Sequence, residues 1–362
     1  MLGTRRAAIA TAAAAAIAVT AAAASPAVAE TAENPTTVRV SLFSWPGYAF
    51  WFLASEKDLV PEVDLDITII EDPYQSFALM EAGQLDVASS TAEYAPLAAA
   101  EGNSIRLVAY TNVSYGTDKI ILAPGIESAA DLAGETVAVL EGGLSQIFMA
   151  IWLEENGVSP DDVTFANLIM DDATAAMISG QVAAGAFWEP FGGAVLGALE
   201  GASVAAVSDT AEWTSSGLLA DAMYMRQGFV EENPEAARLA MKAYFAAVDY
   251  WRANPDEANE IMARAIGFPL ADVVSVIGAD GGPAEGGLVV YGLEDSARFM
   301  GVLPGDPKLG ALGQSNGAIR DHFALTAGWW ERFGLVEEVP AFEAGVSLAP
   351  MEALAASGSA GR

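Results

Sequence analysis

From residue 38 onward the sequence alternates short runs rich in β-branched residues with segments of helical pattern, and this alternation restricts the fold more than any other feature. The run VRVSLFS at Val38–Ser44 and the run VDLDITIIE at Val63–Glu71 are each followed by a helical segment. Strands that alternate with helices usually pair in parallel, and the helices cover both faces of their sheet. The first part of the chain therefore predicts a mainly parallel sheet with helices on both faces.

The pattern restarts after residues 114–118 (SYGTD), so a second α/β unit follows the first. The two units share an architecture, but no sequence repeat is visible between them. The chain therefore predicts two α/β units in tandem. The predicted strands are Val38–Ser44, Val63–Glu71, Leu85–Ser89, Ile105–Asn112, Lys119–Ala123, Thr136–Leu140, Val163–Leu168, Ala183–Phe187 and Ser203–Val207.

The third quarter of the chain is helical, and two of its helices have marked starts. Asn233-Pro234 and Asn254-Pro255 each place an asparagine before a proline, with acidic residues directly after it. Proline needs no hydrogen-bond partner at the first helical position, and the asparagine side chain is predicted to cap the helix. Two apolar stripes at helical spacing predict core faces. The stripes are Ala240, Ala243, Ala247 and Trp251, and Ile319, Phe323, Ala327 and Trp330.

Residues 1–29 have the three-part layout of a secretory signal peptide. Arg5 and Arg6 give a charged start, an alanine-rich apolar run follows at 7–24, and Ala27-Val28-Ala29 is a cleavage site of the small-x-small type. A membrane anchor is the alternative, and the weak hydrophobicity of the run argues against it. We therefore expect an exported protein, and the arginine pair leaves the twin-arginine route open.

The sequence contains no cysteine. Disulfides are therefore excluded, and so is a lipoprotein, because the lipid-bearing cysteine is missing. A free periplasmic protein of a two-membrane bacterium fits these features. With a single histidine, His322, the sequence also argues against a zinc or redox-metal site, and we expect no metal and no cofactor. His322 itself is predicted to be a solvated residue on a late helix.

The charge is strongly negative, with 48 acidic against 16 basic residues and a net charge of −32. Nucleic acids and anionic lipid surfaces are therefore poor partners. An acidic surface that keeps the protein soluble, as in saline surroundings, accounts for much of this charge. The alternative, which can hold at the same time, is that some acids face a cationic group on a ligand.

Three motifs occur in an order that resembles a known family. They are GQLDVA at 83–88, DLAGETVA at 131–138 and WEP at 188–190. Together they resemble the solute-binding proteins of ABC importers in the taurine, alkanesulfonate, nitrate and thiamine-precursor group, over nearly the whole chain after the signal. One departure is GQVAA at 180–184, where the family usually has an aspartate before the strand.

The resemblance implies an α/β protein with the periplasmic binding protein type II fold, in which a hinge of two crossings joins two α/β domains around a ligand cleft. It also implies a monomer whose partners are a small-molecule ligand and an ABC permease in the inner membrane. The crossings are expected near Ser114–Lys119 and Gly217–Gln227. The expected division is domain I at 30–117 and 218–355, domain II at 118–217, and a flexible tail at 356–362.

Ligands of open parallel sheets bind beyond the carboxyl ends of the strands, where helix starts offer free N–H groups. Aromatic and acidic residues stand at these predicted ends, whereas basic residues are nearly missing, with only Lys119 and Arg226 close to a crossing. Aromatic rings and carboxylates can hold a cation. The candidate ligand-binding residues are Trp45, Tyr48, Asp72, Tyr74, Ser89, Ser90, Thr91, Tyr115, Glu141, Ser145, Trp188, Glu189, Asp221 and Tyr224.

Two ligand classes fit this chemistry from the sequence. The first is a zwitterion such as taurine or a betaine, with its anionic end at Ser89, Ser90 or Thr91 and its amine between acids and aromatic rings. The second is a planar aminopyrimidine, or another nitrogen heterocycle, stacked between rings. An exported enzyme on the same fold is a third and weaker reading, and no catalytic residue is predicted.

Overall fold

The computed structural model describes residues 35–209, 213, 215–281, 287–309 and 312–359. The predicted signal peptide at 1–29 lies outside these residues. The strands are β1 (Thr36–Leu42), β2 (Val63–Ile69), β3 (Val87–Thr91), β4 (Ile105–Ser114), β5 (Asp118–Leu122), β6 (Thr136–Val139), β7 (Thr164–Asn167), β8 (Ala184–Trp188), β9 (Ser203–Val207), β10 (Ala220–Arg226) and β11 (Leu288–Val290).

The helices of the first and second thirds follow or separate these strands, and those of the last third are interrupted by β11 alone among the described residues. They are α1 (Phe50–Glu56), α2 (Pro73–Glu81), α3 (Ala95–Ala100), α4 (Leu144–Glu155), α5 (Met170–Ile178), α6 (Phe191–Ala198), α7 (Gln227–Glu232), α8 (Pro234–Ala253), α9 (Pro255–Ile266), α10 (Leu270–Ile277), α11 (Leu293–Phe299), α12 (Ile319–Arg332), α13 (Phe342–Gly345) and α14 (Ala349–Ser359). Within the described residues, no helix is both long and apolar enough to span a membrane.

The strands form two sheets, as the two α/β units predict. The first sheet has six strands in the order β11-β4-β10-β3-β1-β2, and the second has five in the order β7-β6-β8-β5-β9. All nine predicted strands are present, and their ends differ from the prediction by about two residues at most. The predicted α/β class is therefore confirmed at the level of elements.

The sheets are mixed, so the prediction of a mainly parallel sheet is wrong. In the first sheet β1 is parallel to β2 and β3, but β10 is antiparallel to both β3 and β4. The cause is the path of the chain. After the second sheet is complete, β10 re-enters the first sheet from the end at which β3 and β4 finish, so it must run in the opposite direction.

The chain crosses between the sheets twice. It leaves β4 at Ser114 and starts β5 at Asp118, and it returns between the end of β9 at Val207 and the start of β10 at Ala220. Residues 217–227, which we expected to be the return crossing, are therefore mostly strand β10. This strand is buried along most of its length and lies between β3 and β4.

Both proline-marked helices begin where predicted, but the predicted asparagine caps are absent. Neither Asn233 nor Asn254 accepts a capping hydrogen bond with its side chain. The side-chain amide of Asn254 instead donates to the carbonyl of Tyr250 at 3.1 Å, because Asn254 also ends the preceding helix. Both predicted apolar stripes are buried in the core, with no member more than 4% exposed.

The prediction that His322 is a solvated residue is wrong. Its side chain is 2% exposed, one ring nitrogen contacts the hydroxyl of Tyr110, and Nε2 lies 3.3 Å from Oε1 of the fully buried Glu93. On α12 His322 stands three residues after Ile319 and so belongs to the same buried face. The last helix, α14, continues to Ser359 and so enters the predicted tail, whose final residues 360–362 lie outside the described part.

Candidate ligand-binding cleft

A cavity lies between the two sheets, beside both crossings. It is narrow in this closed arrangement, with room for about one water molecule. The first sheet supplies most of the wall, and the second sheet supplies the start of β5, the start of α4 and the end of β8. The lining residues are Phe43, Trp45, Tyr48, Thr91, Ser114, Asp118, Leu144, Trp188, Leu219, Asp221 and Leu288.

Aromatic side chains from the segment after β1 form one wall. Tyr48 meets both Phe43 and Trp45 edge to face, with ring centroids 5.7 and 5.3 Å apart. Gly47 makes this packing possible, because a Cβ at that position would lie 2.0 Å from the Trp45 ring. Edge-to-face rings leave faces and edges free for an apolar or cationic group.

Asp221 is the buried acid of the first sheet. It stands on β10 directly opposite Thr91 of β3, and its side chain accepts a hydrogen bond from the Tyr48 hydroxyl at 2.6 Å. The residue is 4% exposed. Burial raises the pKa of Asp221 well above its usual range, although the hydrogen bonds from Tyr48 and Asn112 act in the opposite direction.

Asp118 is the buried acid of the second sheet. It opens β5, pairs with Trp188 in the ladder, and is 5% exposed. Burial raises the pKa of Asp118 to about 7, even though a hydrogen bond from Ser114 and the charge of Lys119 favour the ionised form.

No basic side chain lines the cavity, and within the described residues neither aspartate forms an ion pair. The nearest cation in sequence, Lys119, is bound elsewhere: its ammonium donates to Oε1 of Glu189 at 2.6 Å and to the Gly116 carbonyl at 2.9 Å. Buried carboxylates require a compensating charge or a proton. The cavity therefore has the charge and the aromatic walls that suit a cation.

Hydrogen bonds between the two sheets close the mouth of the cavity. Nε1 of Trp45 donates to the carbonyl of Glu189 at 3.0 Å, beside the cis peptide bond between Glu189 and Pro190. On the other side the hydroxyls of Tyr74 and Tyr94 donate to the carbonyl of Glu141 at 3.1 and 3.3 Å. The structure is therefore a closed arrangement of the two sheets.

Five of the fourteen candidate residues from the sequence line the cavity, namely Trp45, Tyr48, Thr91, Trp188 and Asp221. Three others lie at or near its rim. Asp72 caps α2 by accepting from the amide of Tyr74 at 2.9 Å, and Tyr74 reaches Glu141 through the contact described above. Glu141 accepts this hydrogen bond across the mouth with its backbone carbonyl, not with its side-chain carboxylate.

The remaining six candidates do not line the cavity. Ser89 accepts from the indole of Trp51 at 2.8 Å, and the hydroxyl of Ser145 accepts from the amide of Leu140 at 2.8 Å inside the turn before α4. Tyr224 is fully buried and donates to the Thr91 carbonyl. The other three are Ser90, which is buried behind the wall, Tyr115, which lies in the first crossing, and Glu189, which binds Lys119.

Sequence reasoning missed six lining residues, Phe43, Ser114, Asp118, Leu144, Leu219 and Leu288. Asp118 is the most important of them. The sequence predicts a crossing around Asp118 but gives no role to its carboxylate. A signal was available, since a single acid at the start of an otherwise apolar strand, DKIIL, has to be solvated, paired or functional.

Several buried polar atoms around the cavity have no hydrogen-bond partner. They include Thr91 Oγ1, Ser90 Oγ and Asn112 Oδ1. Buried polar groups are normally hydrogen-bonded, so an unpaired group beside a cavity marks a place for a ligand or a water molecule. Within the described residues, no group of three or more acidic, histidine or cysteine side chains could hold a metal ion.

Comparisons with known proteins point to one family. Residues 45–258, more than half of the chain, match the family described as NMT1/THI5 like. A protein of Brucella abortus (strain 2308), provisionally named a binding protein, is 29% identical over 254 residues, which is 68% of this chain and 76% of the relative.

Solved structures share the fold. The periplasmic aliphatic sulphonate binding protein SsuA from Escherichia coli matches with a TM-score of 0.64 and 19% identity, over 86% of this chain and 92% of that chain. The desulfurization enzyme DSZB matches with a TM-score of 0.58 and 15% identity, over 89% and 99% of the two chains. At such identities the likeness shows the architecture, which is that of the periplasmic binding proteins.

Proposed function

The chain belongs to the NMT1/THI5-like family, and on that premise we propose that it is the substrate-binding component of an ABC importer. It is exported to the periplasm, captures a small organic solute between its two lobes, and presents the closed form to a permease. The relatives named as binding proteins support this role.

The cargo carries a positively charged nitrogen. One observation supports this: Asp118 and Asp221 are both buried in a cavity walled by Trp45 and Tyr48, and no basic residue lines that cavity. A cation between these carboxylates would satisfy both charges and lie against aromatic rings.

A protonated nitrogen heterocycle such as an aminopyrimidine is the first candidate. A flat ring would stack on the Trp45 and Tyr48 wall once the narrow cavity widens, and its N–H groups can donate to the carboxylates. An amino-sulfonate such as taurine is the second candidate, supported by the shared fold of the aliphatic sulphonate binding protein from Escherichia coli. It is second because Asp221 lies opposite Thr91 in the ladder, so an anionic end at Thr91 would meet a carboxylate.

Closure uses the two crossings as a hinge, with lobes at 30–117 and 218–355 and at 118–217. The crossings are tied to each other, since the hydroxyls of Ser114 and Ser208 are 2.5 Å apart and Ser208 also accepts from the amide of Asp118. A few loop residues can absorb the backbone rotation of a hinge, and residues 115–117 of the first crossing form such a segment.

Binding is proposed in preference to catalysis, although an enzyme shares the fold. The hydroxyls that line the cavity belong to Tyr48, Thr91 and Ser114. The single histidine of the chain, which could activate such a nucleophile, contacts Glu93 and Tyr110 instead of lining the cavity. Because Asp221 already accepts from the Tyr48 hydroxyl, the preference for binding rests on the relatives named as binding proteins.

A thermal-shift scan of the purified protein at matched salt tests the proposal. The panel contains aminopyrimidines, taurine, alkanesulfonates without an amine, betaines and nitrate. A ligand at about 100 times its dissociation constant stabilises the protein by roughly 2.7 kcal/mol, which shifts the melting temperature by several degrees. A shift confined to nitrogen cations is expected. A shift produced by alkanesulfonates without an amine would contradict the cationic cargo.

A matched pair of variants assigns the shift to the cavity. Asp221→Asn removes the buried charge and should abolish most of the shift. Asp66→Asn removes an exposed acid from the edge strand β2 and should leave the shift unchanged. Equal shifts in both variants would remove Asp221 from the site.

A further inference from the structure

The two buried aspartates of the cavity belong to opposite sheets. Asp118 opens β5 in the second sheet, and Asp221 lies near the start of β10 in the first. Both side chains line the same cavity, and each residue is at most 5% exposed. The two carboxylates are therefore buried together because the sheets are closed on each other.

The charges that face this pair do not neutralise it. Lys119, which follows Asp118 in the chain, forms an ion pair with Glu189. The charge of Lys119 is therefore already neutralised by Glu189. Behind the wall Glu93 is fully buried and adds a third acid, and both aspartates feel its charge. The ring of His322 reaches Glu93 from α12. Arg226, at the far end of β10, is bound to Asp86.

Like charges in a shared low-dielectric cavity cannot both remain ionised without compensation. Separation of the lobes would relieve this problem, because it would part the two aspartates and let water reach the side of each that faces the cavity. In the closed form, either a proton or a cation has to enter the cavity. In agreement with this, burial raises the pKa of Asp118 to about 7 in the closed structure, and that of Asp221 is raised as well.

We propose that Asp118 and Asp221 form a cation gate, which lets the cleft close over a positively charged solute and lets it close empty only after the pair has taken up a proton. This inference rests on the proposed solute-binding function and adds its selectivity. Neutral compounds of the same shape are rejected, because they leave the carboxylates uncompensated. A cation that enters displaces a proton, so its capture is linked to pH.

The direction of the pH effect follows from the two states. Burial is the main cause of the raised Asp118 pKa of about 7 in the closed form, so hydration on opening would bring the pKa back toward its ordinary value of about 3.9. The empty closed form is therefore favoured below pH 4, is progressively lost between about pH 4 and 7, and is least populated above pH 7. For one displaced proton, the affinity for a cation rises up to about tenfold per pH unit in that window.

The gate can be tested without any ligand. Since the chain has no cysteine, Ser55→Cys on α1 and Ala175→Cys on α5 provide two unique, exposed label sites, one on each lobe. Double electron–electron resonance then reports the distance between the lobes from pH 5 to pH 8.5. The closed population of the ligand-free protein is expected to fall as the pH rises.

Variants decide whether the pair is responsible. Asp118→Asn, and separately Asp221→Asn, should keep the empty protein closed at pH 8, whereas Asp66→Asn should titrate like the parent protein. Circular dichroism checks that each variant is folded. If Asp118→Asn does not fold, Asp221→Asn provides the test. A closed population independent of pH in the parent, or an unchanged titration in both variants, would overturn the gate.

A charged and a neutral probe separate the gate from the proposed function. At pH 8, benzamidinium should close the labelled protein at concentrations at which benzamide does not, and equal closure by both would overturn the gate. If panel solutes bind while closure ignores pH, the gate fails and the solute-binding role stands. If acid closes the empty protein but no panel solute binds, the gate stands and the proposed cargo fails.

Discussion

The hydroxyl of Tyr48 donates a 2.6 Å hydrogen bond to Oδ1 of Asp221, and both side chains line the cleft between the two sheets. The bond joins the aromatic wall to the buried acid, so the position of the carboxylate depends on a residue 173 positions away along the chain. Tyr48→Phe keeps the ring and removes the donor. Because the ionised Asp221 then loses a charge-assisted hydrogen bond, affinity for a cationic ligand should fall about five- to tenfold, or roughly 1–1.4 kcal/mol.

Isothermal titration calorimetry at pH 8 measures this loss. Tyr250→Phe is the matched control, since Tyr250 lies on α8 and binds Glu257 away from the cleft. The same loss in both variants would mean that the effect is one of general stability.

The indole of Trp45 holds the mouth closed through the carbonyl of Glu189. Trp45→Phe keeps an aromatic wall but removes this hydrogen bond between the lobes, so the open form gains population. We expect a three- to tenfold faster dissociation of the ligand with a nearly unchanged association rate. Stopped-flow fluorescence measures both rates, and Trp329→Phe, at a partly exposed site beside Phe333, is the control. A change confined to association would contradict a role in holding the closed form.

An ion pair between Arg332 of α12 and Glu154 of α4 joins the lobes outside the cleft. The two side chains are 39% and 40% exposed, so solvent and salt screen the pair and its contribution is small. Glu154→Gln should raise the dissociation constant less than threefold at low salt and have no effect at 1 M NaCl. An effect that persists at high salt would show that the contact acts by packing.

The raised pKa of Asp118 predicts how the stability of the ligand-free protein depends on pH. The folded pKa is about 7 and lies above the unfolded value, so the folded form binds more protons between about pH 4 and 7. The contribution of Asp118 to stability is therefore fully present below pH 4, is lost as the pH rises through 7, and is constant above it.

Asp118→Asn removes this dependence. Its free energy of unfolding relative to the parent should increase from pH 5 to pH 7.5 by at most about 3 kcal/mol and then level off, because opening of the parent hydrates Asp118 and stops any further loss. Urea denaturation at each pH measures the difference, and the exposed variant Asp66→Asn should show no such rise. A constant difference across the range would contradict the raised pKa.

His322 stabilises the first lobe through its contacts with Tyr110 and Glu93. His322→Ala removes a buried ring and leaves Glu93 with fewer partners, so we expect a loss of roughly 2–4 kcal/mol in the free energy of unfolding. Urea denaturation measures it, with Asp321→Ala on the exposed face of the same helix as control. A loss below 1 kcal/mol would show that the site relaxes around the missing ring.

The closure between the lobes explains why only part of the site could be predicted. Trp45, Thr91 and Trp188 follow from a local rule, because they stand at or just after the ends of strands, where a ligand of an α/β sheet binds. Asp118 does not follow from that rule, since it stands at the start of its strand. It becomes a cleft residue only because the second sheet faces the first.

The sequence by itself determined the strands, the two-unit organisation and the apolar faces of the helices, because these depend on residues close together in the chain. The tertiary structure alone decided the direction of β10 within the first sheet and the burial of His322 against Glu93. It also decided that Asp118 and Asp221, which belong to different sheets, line the same cavity. These features join residues about one hundred or more positions apart, and local propensity carries no information about which distant surfaces will meet.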